Sequence, residues 1–126
     1  MRDARTIYEL MVLAVWADGK VQPDEVLALQ RIVSADPAFA RLGDRSALVR
    51  PVRERIASQG IDSALRAAAA AIAPEDRELA FRFCARVLNA DGEMGGEDAE
   101  VLGTLQELFE LSGEAVTRLI RDRDRP

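Results

Sequence analysis

A chain of 126 residues that is 48% hydrophobic and only 5% aromatic can bury one aliphatic, alanine-rich core and is too apolar to be disordered. Its net charge of −5 and pI near 4.8 disfavour nucleic-acid binding as a main role, because phosphate affinity rests on lysine and arginine. The lack of histidine excludes Ser-His-Asp and Cys-His catalysis and imidazole metal ligands, and the single cysteine, Cys84, excludes an intrachain disulfide or thiolate zinc cluster.

Helical periodicity runs through the chain, and no segment alternates like a strand. A first helix is expected from Asp3 to Ala17, with Ile7, Leu10, Met11, Ala14 and Val15 on one face. Its second half is apolar nearly all round, as in a centrally buried helix, and Trp16 near its end is read as a residue at the edge of the core. Gly19 supplies the stop. A second helix starts at Pro23, which has no N–H to leave unpaired, with Asp24 and Glu25 in the first turn and Val26, Leu29, Ile32 and Val33 as its apolar stripe.

In the middle, Asp36-Pro37 opens a short turn or helix ending near Leu42-Gly43. Asp44 can cap the next helix, but Pro51 predicts a break near Arg50 and a fresh helix from Pro51 to Gln59. Asp62 to Ile72 reads as an alanine-rich helix. Pro74-Glu75-Asp76 opens another that runs through Phe81, Phe83, Cys84, Val87 and Leu88 to Ala90, where Gly92 stops it. Cys84 reads as a small core residue. A helix from Gly96 to Leu111 buries Val101, Leu102, Leu105, Leu108 and Phe109. Ser112 caps a last helix to about Arg121, before a frayed tail over 121–126.

A duplication underlies this order. Ala17-Asp18-Gly19-Lys20-Val21-Gln22-Pro23-Asp24-Glu25 is echoed by Ala90-Asp91-Gly92-Glu93-Met94-Gly95-Gly96-Glu97-Asp98, and Asp18 and Asp91 stand 73 residues apart. At that offset Leu10 matches Phe83, Met11 Cys84, Val15 Leu88, Leu29 Leu102 and Ile32 Leu105. The expected architecture is all-α: a single domain over 1–126 of about seven to eight helices, with two helix hairpins, roughly 3–35 and 74–111, related by internal pseudo-symmetry.

The two Asp-Gly turns are the one place where chemistry can sit. Asp18 to Glu25 matches the second half of an EF-hand loop, but the first-half ligand positions fall on Ala14 and Trp16, which cannot ligate, so a full EF-hand is rejected. Asp18 just past one helix and Glu25 one turn into the next can still approach each other, and Asp91 with Asp98, Glu97 or Glu93 likewise. If both turns face one side, Asp18, Glu25, Asp91 and Asp98 offer oxygen ligands suited to calcium, magnesium or manganese. The same acids also satisfy helix N-termini with no ion present.

The duplicated pattern of Ala17-Asp18-Gly19-x-Val21-x-Pro23-x-Glu25 and Ala90-Asp91-Gly92-x-Met94-x-x-x-Asp98 resembles the tellurite-resistance protein B (TerB) family and the related domain of DnaJ-like membrane co-chaperones, over roughly Thr6 to Leu119. The resemblance implies a cytoplasmic, all-helical two-hairpin domain without established catalysis, linked to metal-oxyanion resistance and membrane-associated stress complexes. It marks Asp18, Glu25 and Asp91 as metal positions. The chain departs from a symmetric pair at Asp98, a shorter acid than Glu25, and at Gly95-Gly96, which replaces Gln22-Pro23.

Charge is uneven. Eight acids and no base lie from Asp91 to Glu114, and six arginines lie from Arg41 to Arg66 against Asp44, Glu54 and Asp62. The preferred reading is a non-enzymatic cytoplasmic binding module that holds a protein partner and a divalent cation, with peripheral contact to anionic lipid open to its arginine-rich middle. A metal-dependent hydrolase or phosphotransferase using clustered carboxylates is the alternative from another class. A packing-only homo-oligomer joined through the alanine face of residues 61–73 is a third.

Overall fold

The computed structural model describes residues 4–17, 23–42, 45–88 and 96–121. Among these the chain is all-α, with α1 (Ala4–Trp16), α2 (Pro23–Ala35), α3 (Arg45–Gln59), α4 (Ile61–Ala70), α5 (Arg77–Leu88), α6 (Gly96–Leu108) and α7 (Gly113–Arg121). Two 3-10 turns, Pro37–Leu42 and Pro74–Asp76, precede α3 and α5. The expected stops at Gly19 and Gly92, the Asp44 cap and the tail over 122–126 lie outside the described residues.

α1 is the central rod. Every residue from Ile7 to Val15 is buried, and the helix packs on α2, α3, α4, α5 and the first 3-10 turn. An all-round apolar helix has no solvent face to offer, so its neighbours must surround it. The two members of each repeat pair (Leu10 and Phe83, Met11 and Cys84, Val15 and Leu88, Leu29 and Leu102, Ile32 and Leu105) are buried alike. Both members of every pair thus lie in the core, and α1 with α5 forms the core pair. The hairpins' surroundings differ: α2 packs directly on α5, whereas α4 lies against both α1 and α6. In the linking segment, Phe39 is buried and meets Phe83 edge to face, ring centroids 5.6 Å apart.

Four local expectations change. α3 runs unbroken through Pro51, with no fresh start after Arg50. Val52 is buried, and Leu48, Val49 and Ile56 pack against the core on either side of the proline. A stripe anchored at both ends holds the helix axis across the missing N–H bond. The helix expected from Pro74 opens instead as a 3-10 turn, with Asp76 buried, before α5 begins at Arg77.

α6 ends at Leu108, short of the expected Leu111. Its end is a Schellman motif in which Glu110 takes φ 57° and the Leu111 N–H donates to the Gln106 carbonyl at 3.0 Å. The alanine-rich helix is also shorter than expected. Its Ala64, Leu65, Ala68 and Ala69 are buried within the chain, so that face belongs to the core; Ala67, Ala70 and Ala71 remain exposed. Ser112 behaves as expected: its Oγ accepts from the Ala115 N–H at 3.1 Å at the start of α7.

Candidate metal centre

Pro23 opens α2, which puts Asp24 second and Glu25 third in the helix. The third position is where a carboxylate can turn back onto the unsatisfied N–H groups of the helix start. Helical spacing also places Glu25 on the stripe of Leu29, Ile32 and Val33, the face that points to the core. The two demands meet in one side chain: Glu25 is only 6% exposed while Asp24 is exposed. Its Oε2 is enclosed by protein atoms. Placing a carboxylate there costs desolvation, which the positive end of the α2 dipole offsets in part.

α6 repeats the arrangement. Gly96 is its first residue, so Asp98 is third, and Asp98 heads the stripe of Val101, Leu102 and Leu105. Asp98 is half-buried. The shorter acid therefore sits nearer solvent than its counterpart Glu25. Asp18, Asp91 and Glu93 lie outside the described residues. Among the described residues, no three His, Cys, Asp or Glu side chains converge.

The residue that follows α1 and the first half of α6 line one cavity. This cavity, of about 390 Å³, is flanked by Ala17, by Ile61, Asp62 and Leu65 of α4, and by Glu100 and Val101 of α6. Ala17 immediately precedes Asp18, and Glu100 follows Asp98 by two residues.

A family model described as tellurite resistance protein TerB matches residues 4–121. The chain belongs to the TerB family. No curated protein and no solved structure was found to match it.

Within this TerB domain, the structure adds carboxylates that spacing did not mark. Glu9, 8% exposed, sits mid-way along α1 inside an otherwise apolar run. It accepts from Arg5 Nε at 3.3 Å and from the Arg55 guanidinium of α3 at 2.7 Å. Arg5, four residues earlier, was a visible partner; Arg55 was not. Asp76 is buried at the start of the α5 segment. Cys84 is fully enclosed, and burial pushes its thiol up to about 12, so it is a neutral core residue and not a nucleophile. Trp16 is half-buried, and the Arg53 guanidinium lies 5.4 Å from its ring centroid. No described helix is long and apolar enough to cross a membrane.

Proposed function

We propose that this TerB-family domain is a non-enzymatic binding module that takes a divalent cation at its two Asp-Gly turns and docks a protein partner, in tellurite resistance or a related stress response. Asp18 and Glu25 form the stronger half of the site, and Asp91 and Asp98 the weaker. The donors are all carboxylate oxygens, which suits calcium, magnesium or manganese.

The observation that carries this reading is the cavity shared by Ala17 and Glu100. A cavity lined both by the residue before Asp18 and by α6 near Asp98 supports the reading that the acids act from one end of the domain. The matching register of Glu25 and Asp98 adds to it: an acid stands third in the helix and heads an apolar stripe in both hairpins. The sign and chemistry of such a group favour a cation.

Calorimetric titration of the protein with calcium, magnesium and manganese tests the cation. A saturable isotherm is expected with at least one ion, weakened by Glu25→Gln and lost with Asp18→Asn. The melting temperature should rise with that ion, because binding to the native state alone stabilises it. No heat and no thermal shift with any of the three at millimolar concentration would refute the site. Growth on tellurite of cells lacking the protein, with and without Asp18→Asn complementation, tests the physiological link.

A further inference from the structure

α2 and α3 both pack on α1, yet they make no substantial contact with each other. Between them runs a trough made of two contiguous cavities, about 530 and 670 Å³, that share Trp16 and Val26. At its base Tyr8, Val12 and Val15 of α1 lie nearly covered, and the half-buried Trp16 stands between the walls. One wall is Val26, Leu29 and Gln30 of α2; the other is Val49, Arg53, Ile56 and Ala57 of α3.

The trough's charge is of one sign. Arg53 is its only charged lining residue among those described, and it is exposed above Trp16. Arg50, one turn away on the same helix, is also exposed, in a surface ion pair with Glu54 at 3.4 Å that an incoming carboxylate can share. In all α3 carries Arg45, Arg50, Arg53 and Arg55 against Glu54, with Arg55 turned to Glu9 of α1. We propose that this trough seats the apolar stripe of an acidic amphipathic helix from another protein, with the helix's carboxylates meeting Arg53 and Arg50. This names the partner surface of the module proposed above; it shares that reading's partner half and is independent of its cation half.

A second copy of the chain is the less suitable occupant. Its acidic segment presents Glu100, Glu107, Glu110 and Glu114 to solvent, but the apolar residues of α6, Val101, Leu102 and Leu105, are buried in its own core. A folded copy would bring acids without an apolar stripe to fill the trough.

Trp16 is the only tryptophan, so its emission reports on the trough directly. The probes are three synthetic helices of roughly 15 residues, near the length at which isolated helices become stable. All carry the same leucine stripe, flanked by glutamate, glutamine or lysine, and titrations are run in EDTA so that the cation site plays no part. The glutamate peptide is expected to shift Trp16 emission saturably, the glutamine peptide to bind about tenfold more weakly, and the lysine peptide weaker still. Arg53→Glu, an exposed position, should reverse the preference towards lysine, and Ala57→Glu should weaken the glutamate peptide. Equal binding of all three peptides, or no change in Trp16 emission at millimolar peptide, would overturn the proposal. So would self-association in sedimentation that Arg53→Glu abolishes, which would make a second copy the occupant.

Discussion

The Arg55 guanidinium donates to Glu9 Oε2 across 2.7 Å, and so ties the arginine-rich α3 to the buried centre of α1. Glu9 is a carboxylate inside the core helix, and its charge is held by Arg55 from one side and Arg5 from another. Removing one partner of such a pair leaves the other charge poorly solvated. Arg55→Ala should destabilise the domain by about 2 kcal/mol, less than for a fully buried pair because the arginine is about one-third exposed. Arg5→Ala, at the exposed end of the network, should cost well under half of that. Urea denaturation of the two variants checks the order; equal costs would contradict the geometry.

Pro51 lies in the interior of α3, where it withholds an N–H from the Ala47 carbonyl. The packing of Val52 and Ile56 holds the helix in spite of it, so restoring the donor should help. Pro51→Ala is expected to stabilise by about 1 kcal/mol, since the helix-interior penalty of proline exceeds what its rigidity removes from the unfolded chain. Thermal melts of the variant should show a higher midpoint.

Glu110 adopts φ 57° to close α6, a conformation in which its Cβ is strained. Its ion pair with Arg77, at 3.9 Å and with the Glu110 side chain 84% exposed, contributes little. Glu110→Gly should therefore stabilise by about 1 kcal/mol, and Glu110→Val should do the opposite. The same melts decide both.

Cys84 gives the domain an alkaline limit. Burial pushes the thiol from the ordinary value of 9.0 up to about 12 in the native state. Below pH 9 both states hold the proton, and the thiol adds no pH dependence. Between those values the unfolded chain loses its proton while the native chain keeps it, so stability falls as pH rises, by roughly 1 kcal/mol per unit. Cys84→Ala should flatten that part of the profile. At neutral pH the native thiol should resist a disulfide reagent that reacts at once in denaturant.

The acids of the candidate site were legible because helix starts have a local grammar. Pro23 with Asp24 and Glu25, and Gly96 followed by Asp98, mark the first turns without reference to the rest of the chain. Their burial was legible only in part. The stripe of Leu29, Ile32 and Val33 predicts a face, and Glu25 lies on it, but how much of that face is covered depends on what packs there. Arg55 reaching Glu9 was not legible at all: the two stand 46 residues apart, and nothing local in either segment names the other.

What the sequence by itself determined is the helical class, the order of the helices and which residues of each face the core. These follow from apolar spacing and turn chemistry, which act over a few residues, and the repeat partners are buried alike as that spacing requires. The tertiary structure alone decided that α3 passes through Pro51, that α2 and α3 stand apart over α1, and that Ala17 and Glu100 line one cavity. Each depends on contacts between distant segments, where burial against a shared core outweighs local preference.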